Sequence, residues 1–154
     1  MSKLAWNDIN WTLVQKRISR QQRRVYKASM EGNKAKVHAI QRRIIASLDA
    51  KLLAVRRVTT ENKGRVDGVK AISHQKKIEL AYRLKLDGKA SPIRRTYISK
   101  PGKSDFRPLG IPTIEDRALQ CLVNLILEPL VEMTSDPHSF GFRPYRSAKQ
   151  AISY

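Results

Sequence analysis

Apolar residues recur at three- and four-residue intervals through the first third of the chain, which is the period of an amphipathic helix. Asn10 stands where a helix cap is needed, and Gly32 stands where the left-handed residue that ends a helix is usually found. A second helix of the same period is predicted over about residues 34–55. The positions predicted to face inward in these two helices are Trp11, Val14, Ile18, Val25, Ala28, Val37, Ile40, Ile44, Leu48 and Leu52.

A third amphipathic helix follows a polar, glycine-containing loop at 59–68. Ser73 can cap this helix, which is predicted to run to about residue 86, where an Asp-Gly pair closes it. Its predicted inner face consists of Ile78, Ala81 and Tyr82. The pattern up to this point predicts helices joined by short polar connections.

Beyond Pro92 the pattern changes to the two-residue alternation of a β-strand. A Pro-Gly turn at 101–102 separates this strand from a possible return strand at 106–111. The two strands and the turn predict an antiparallel hairpin. This hairpin is the one β-element that the alternation predicts in the chain.

The last third returns to helical spacing. Thr113 and Asp116 form a capping-box pattern that opens a helix to about residue 127, and Pro129 is predicted to kink or end it. Ser147 can cap a final helix. The predicted fold class is therefore α+β and mainly helical, with N-terminal helices followed by a small antiparallel hairpin.

The charge balance points to an anionic partner. The 154 residues include 31 Lys and Arg against 13 Asp and Glu, a net charge of +18. Such an excess is typical of proteins that bind nucleic acid or an anionic membrane. The longest apolar run, at 118–127, is interrupted by Gln120 and Asn124 and falls short of the roughly 20 residues that a membrane span needs. We therefore expect a nucleic-acid partner and no membrane.

The positive charge is concentrated in the first two predicted helices. On the first helix the cations fall within an arc of about 120°, opposite the apolar positions. A solvated surface face is the alternative interpretation. Glu31 and Asp49 are the sole acids between residues 16 and 57, so the charge of this segment is barely neutralised, which favours phosphate binding. The candidate nucleic-acid-binding residues here, which would lie on RNA or DNA phosphates, are Lys16, Arg17, Arg20, Arg23, Arg24, Lys27, Arg42, Arg43, Arg56 and Arg57.

A second group of cations surrounds the turn of the predicted hairpin. Lys100, Lys103 and Arg107 lie close to Gly102, where side-chain cations and backbone amides can meet a phosphate. The segment lacks the GxxxxGK[ST] spacing of a P-loop. From these residues alone, an ordinary surface turn is the preferred interpretation over a nucleotide site.

Several long blocks resemble one family. YISKPGKSDFRPLGIPTIEDRALQ at 97–120 and SFGFRPYRSAKQAI at 139–152 are similar to the fingers region of group II intron reverse transcriptase/maturases. SRQQRRVYKA, AIQRRIIAS and KLLAVRRVTTENKG, between residues 19 and 64, resemble the N-terminal extension of the same proteins. The blocks occur in the family's order over essentially the whole chain.

The resemblance implies two segments with different partners. Residues 1–58 would be a basic helical extension that binds group II intron RNA, and residues 59–154 would be reverse-transcriptase fingers. Within the fingers, Lys100 and Arg107 would hold the triphosphate of the incoming nucleotide. Contacts to the backbone of a template RNA or DNA would come from Arg94, Arg95 and Arg143. The resemblance fits a bacterial cytoplasm or a plastid (chloroplast).

The resemblance also implies where catalysis would occur. Polymerases hold two divalent cations with clustered carboxylates, which in this family belong to a palm domain beyond residue 154. The acids after Asp116 are Glu128, Glu132 and Asp136, and they match no metal motif of the family. We therefore expect no catalytic residue, metal or cofactor in this chain, and Mg²⁺ only together with a palm.

The expected function follows from these two points. The chain would be the N-terminal portion of a group II intron reverse transcriptase/maturase that binds RNA without polymerising by itself. A palm and thumb encoded separately would be a further partner. The alternative is a standalone RNA-binding splicing factor derived from such a maturase.

Overall fold

The computed structural model of the protein describes residues 5–61, 72–102 and 104–153. In chain order the elements are a 3-10 helix Trp6–Asp8, α1 Trp11–Met30, α2 Lys34–Ala46, α3 Leu48–Arg56, a π-helical turn Arg57–Glu61, α4 His74–Arg83, β1 Arg94–Ser99, β2 Phe106–Ile111, α5 Ile114–Thr134 and α6 Ala148–Ile152. The mainly helical α+β class is confirmed. Most of the loop predicted at 59–68 and Lys103 of the hairpin turn lie outside the described residues.

Helix α1 begins and ends where the sequence predicts. The Asn10 side chain accepts a hydrogen bond from the Leu13 amide at 3.0 Å. At the other end Gly32 has a φ of +67°, and the amides of Gly32 and Asn33 donate to the carbonyls of Ser29 and Ala28. These two bonds form a Schellman motif, which satisfies carbonyls that the helix end leaves open.

The single helix predicted at 34–55 is wrong, because the chain breaks at Ser47. This residue is extended, with a ψ of 130°, and its hydroxyl accepts from the Ala50 amide at 3.4 Å. Serine competes well for a cap because its side chain replaces a missing backbone partner. The apolar period continues across the break, so Ile44 and Leu52 are both buried although they lie on different helices.

Helix α4 is capped by Ser73 as predicted, yet it ends at Arg83 rather than near residue 86. The prediction that Tyr82 faces inward is also wrong, since this side chain is 58% exposed. Tyr82 lies about 100° around the helix from Ala81. Leu80 and Leu84, which the sequence analysis did not assign to the inner face, are buried instead.

Helix α5 starts with the predicted cap and crosses the bundle. The Asp116 amide donates to the Thr113 hydroxyl, and that hydroxyl donates to the Asp116 carboxylate at 2.6 Å. The helix continues through the buried Pro129 to Thr134, so the prediction that this proline could end it is wrong. A proline cannot donate to the carbonyl four residues earlier. Here that carbonyl, on Leu125, accepts instead from the Gln22 side chain of α1 at 2.9 Å.

One hydrophobic core joins α1 to α5. Its fully buried side chains include Val25, Ile44, Val55, Leu84 and Leu122. Helices from both sides of the predicted boundary between 1–58 and 59–154 share this core, with α5 packed against α1, α2 and α3. We refer to α1–α5 as the helical bundle.

The predicted hairpin is confirmed. Strands β1 and β2 are antiparallel, in a register that pairs Arg94 with Ile111 and Ser99 with Phe106. Its strands contact chiefly each other, and Ile111 is its buried hydrophobic residue. In the part of the chain that the structure describes, no helix is long and apolar enough to cross a membrane.

Candidate nucleic-acid interface

The cations of α1 form a continuous exposed surface on the side opposite the core. All six predicted residues of this helix are exposed, whereas Val14, Ile18, Val25 and Ala28 are buried. Within the described part of the chain, two of the six have polar partners: Arg17 donates to Asp49 at 3.3 Å and Arg24 to Gln21 at 3.2 Å. Arg17 nevertheless remains 59% exposed.

The other four cations lie along one line of the helix. Lys16, Arg20, Arg23 and Lys27 are spaced by four, three and four residues, which places them within about 60° and along about 16 Å of the axis. Among the described residues, no acidic side chain pairs with any of them. We call these four residues the α1 basic ridge.

The cations of α2, α3 and the π-helical turn are placed less uniformly. Arg42 and Arg43 are exposed on α2, while Arg56 and Arg57 are partly buried. The Arg56 guanidinium lies 4.7 Å from the centre of the Trp11 ring. The role predicted for Arg56 in RNA binding stays a prediction. Its cation–π contact with Trp11 holds the side chain against α1.

Arg56 is one end of a stack that the sequence analysis missed. The rings of Trp11 and Trp6 are 4.8 Å apart, and the Lys77 ammonium lies 5.3 Å from the Trp6 ring. Lys77 is 7% exposed and donates to the Thr60 hydroxyl at 3.1 Å. Burial lowers the pKa of Lys77 from its ordinary value. Lys77 is more than 65 residues away from both tryptophans in the sequence, so the spacing of residues within one helix gave no signal for this stack.

The hairpin brings Lys100 and Arg107 onto the same face. Arg107 pairs with Ile98 across the strands, and Lys100 follows Ile98 by two residues, which is the side-chain repeat of a strand. Both cations are exposed. The Lys100 ammonium lies 3.8 Å from the Asp105 carboxylate, and the backbone amide of Lys100 donates to the Asp105 carbonyl at 3.1 Å. A phosphate bound here would compete with Asp105 for Lys100.

The two arginines of β1 point in different directions. By strand alternation Arg94 shares the face of Arg107, whereas Arg95 lies on the opposite face with Tyr97. Both arginines are exposed. The structure therefore brings Arg94 but not Arg95 to the side of the predicted triphosphate contacts.

Arg143 has a different setting from the other predicted site residues. Its side chain is 8% exposed, and it donates to both carboxylate oxygens of Glu132 at 3.0 and 2.6 Å. It also donates to the carbonyls of Asp136 and Ser139 at 2.8 Å each. The hydrogen bonds between Arg143 and Glu132 lower the pKa of Glu132 and raise that of Arg143. The predicted template contact of Arg143 stays a prediction, while its donors fix the segment after α5.

The acidic residues near the end of α5 already have protein partners. Glu132 is bound by Arg143, and Glu128 lies 3.5 Å from the Gln22 amide nitrogen. Within residues 5–61, 72–102 and 104–153, no three His, Cys, Asp or Glu side chains come together as a metal site would require.

Comparisons with known proteins place the chain among intron-encoded proteins. Residues 6–84 match the family described as the N-terminal domain of reverse transcriptase. Over 61 residues the chain is 46% identical to Group II intron-encoded protein LtrA of Lactococcus lactis subsp. cremoris. The aligned segment covers 40% of this chain and 10% of that protein. Over 152 residues it is 30% identical to Maturase-like protein 1 of Euglena gracilis, and this aligned segment covers 92% of this chain and 33% of that protein.

A third relative lies between these two in extent. Protein YkfC of Escherichia coli (strain K12) is 36% identical over 106 residues, with 62% of this chain and 28% of that protein covered. The chain thus spans between about a tenth and a third of the length of these curated relatives.

Proposed function

Since the chain belongs to the group II intron reverse transcriptase/maturase family and corresponds to its N-terminal region, we propose that it binds intron RNA and does not polymerise by itself. The α1 basic ridge carries this proposal. It offers four cations on a rigid helix whose opposite face is buried in the core. Each phosphate that such a cation neutralises releases counterions, which drives binding to RNA.

The hairpin is proposed to act on the nucleotide and the template once a palm is present. Lys100 and Arg107 occupy diagonal positions on one face, where Cα atoms are about 7–8 Å apart, so both can reach one triphosphate. Arg supplies a planar fork and Lys a mobile point charge. Arg94 lies on the same face, and we assign it, with Arg95, to a template RNA or DNA backbone.

The proposal that this chain does not polymerise rests on its carboxylates. Polymerisation needs two divalent cations to activate the attacking oxygen and stabilise the leaving one. The Glu132 oxygens both accept from Arg143, so they do not fit a magnesium site. We assign the Mg²⁺ ions to a palm, either in the same longer protein or in a separately encoded palm/thumb half. Relatives in Lactococcus and Euglena fit a bacterial cytoplasm or a plastid as the compartment.

The test is a comparison of two triple charge reversals. Lys16→Glu, Arg20→Glu and Lys27→Glu together remove three ridge cations. Lys85→Glu, Lys89→Glu and Lys149→Glu change the net charge equally at exposed positions elsewhere. Binding of a group II intron RNA is measured over a range of salt concentrations.

The ridge variant is expected to bind more weakly and to lose about 0.7–0.9 in the slope of log K against log salt for each phosphate contact removed. The control variant should keep most of the wild-type slope. Equal losses in the two variants would show that net charge alone acts, and an unchanged slope in the ridge variant would refute the proposal. Nucleotide incorporation by the wild-type chain with magnesium on an RNA template would contradict its second half.

A further inference from the structure

A cavity of about 710 Å³ opens beside the α1 basic ridge. It lies between α1, the C-terminal half of α5 and the segment that leads into α6. Arg23 belongs both to the ridge and to the wall of the cavity, so the ridge and the cavity are contiguous. The other lining residues that matter for its chemistry are Tyr26, Glu128, Pro129, Tyr145 and Arg146.

The apolar walls of the cavity include an aromatic side chain held out toward solvent. Tyr145 is fully exposed and has a φ of +62°, a conformation that costs a residue with a Cβ roughly 1–2 kcal/mol. Strained residues of this kind concentrate at binding sites. Tyr26 and Pro129 supply further flat apolar surface on the other walls.

The polar groups that line the cavity include two cations and a carboxylate acceptor. Arg23 and Arg146 carry positive charge, and the Arg146 guanidinium is placed 5.5 Å from the Phe140 ring. Glu132 is neutralised by Arg143. Glu128 keeps acceptor capacity, because among the described residues it receives one hydrogen bond, from Gln22, and that bond is 3.5 Å long.

We propose that this cavity binds one unpaired nucleobase of the RNA whose backbone lies on the α1 basic ridge. The base stacks on Tyr145, and its flanking phosphates face Arg23 and Arg146. Aromatic side chains beside cations are the usual means of holding single-stranded nucleic acid. A base with an exocyclic amino group, as in adenine or cytosine, donates from that group to Glu128, whereas uracil offers a ring N3–H flanked by two carbonyl oxygens, which the carboxylate repels. This inference rests on the proposed RNA binding by α1.

The experiment measures the affinity of the chain for short oligoadenylate, oligouridylate and duplex RNA probes by fluorescence anisotropy. Tyr145→Ala is expected to weaken oligoadenylate binding about 5- to 150-fold, the range that one base–aromatic stack supports. Duplex binding and the salt slope should stay as in the wild type, because paired bases cannot enter and stacking releases no counterions. Tyr145→Phe should restore the affinity.

Two further variants separate this site from its alternatives. Tyr82→Ala removes a tyrosine that is 58% exposed on α4, away from the cavity, and should leave all three affinities unchanged. Glu128→Gln should reduce the preference for oligoadenylate over oligouridylate. An unchanged oligoadenylate affinity in Tyr145→Ala would overturn the proposal. A protein segment would then be the favoured occupant of the cavity. Equal losses on single-stranded and duplex RNA would overturn it as well.

Failure of this inference is distinguishable from failure of the proposed function. If the wild-type chain and the ridge variant bind RNA alike, RNA binding by α1 is wrong. If the ridge variant loses affinity while Tyr145→Ala does not, the nucleobase site alone is wrong.

Discussion

The helical bundle and the hairpin both present cations, yet they hold them in opposite ways. The α1 basic ridge stands on a helix whose other face is buried in a core shared by five helices. The hairpin strands contact chiefly each other, and Tyr97 and Phe106 remain 60% and 63% exposed. An isolated two-stranded hairpin is marginally stable in water. The bundle therefore positions its cations by itself. The hairpin fixes Lys100 relative to Arg107, but it needs a further surface to pack against before these two cations have a fixed place in the protein.

The first prediction tests how the bundle is held together where α5 contains a proline. Gln22→Ala leaves the Leu125 carbonyl without the donor that replaces the missing Pro129 amide. A buried acceptor that loses its partner costs about 1–3 kcal/mol. We expect the free energy of unfolding, measured by urea denaturation with circular dichroism, to fall by that amount.

A double-mutant cycle provides the control for this prediction. In a Pro129→Ala background the new amide of residue 129 can donate to the Leu125 carbonyl, so Gln22→Ala should cost much less there. Equal costs in both backgrounds would show that Gln22 stabilises α5 through packing and not through the orphaned carbonyl. The bundle would then be less dependent on a polar contact between α1 and α5 than its geometry indicates.

The helix starts could be predicted because their signals are local. Asn10, Ser73, Thr113 and Ser147 each accept from an amide three residues later, and the sequence identified all four. The same kind of residue at Ser47 was overlooked, since an unbroken apolar period continues across it. A continuous helix and two helices joined at a serine leave nearly the same pattern of buried positions.

The cations of the candidate site could be predicted from the sequence, whereas the side chains that contact them within the protein could not. The arc of α1 follows from helical geometry, and its exposure is confirmed. The contacts that decide what other cations do join distant parts of the chain, such as Arg143 with Glu132 and Arg56 with Trp11. Such contacts depend on how helices pack, and spacing within one helix does not encode them.

The second prediction uses two glycines to compare the two regions directly. Gly32 joins α1 to α2 and Gly102 lies in the hairpin turn, with φ values of +67° and +71° and open space where a Cβ would be. Alanine is strained at both positions, by about 1–2 kcal/mol. Gly32→Ala should lower the unfolding free energy of the whole bundle. Gly102→Ala should leave that quantity unchanged and speed amide exchange in β1 and β2 alone.

Hydrogen exchange followed by NMR, together with urea denaturation, separates these outcomes. If Gly102→Ala destabilises the bundle as much as Gly32→Ala does, the hairpin is part of the cooperative unit. The contrast between the two regions would then be wrong. If neither variant has an effect, the strain at these glycines is absorbed by local adjustment.

The smallest expected effect concerns a buried lysine of the bundle and an exposed lysine of the hairpin. Burial lowers the pKa of Lys77 below its ordinary value of 10.5, so the unfolded chain binds more protons than the folded chain between the two pKa values. Stability contributed by this group must therefore rise as pH increases through the lowered pKa toward 10.5. The urea midpoint of the wild type, followed by the fluorescence of Trp6 and Trp11, should therefore rise relative to that of Lys77→Met as the pH is raised toward 10.5. Lys100→Met, which removes an exposed lysine, is the control and should keep the pH dependence of the wild-type urea midpoint. If Lys77→Met also kept that pH dependence, the charge on Lys77 would cost the bundle no stability.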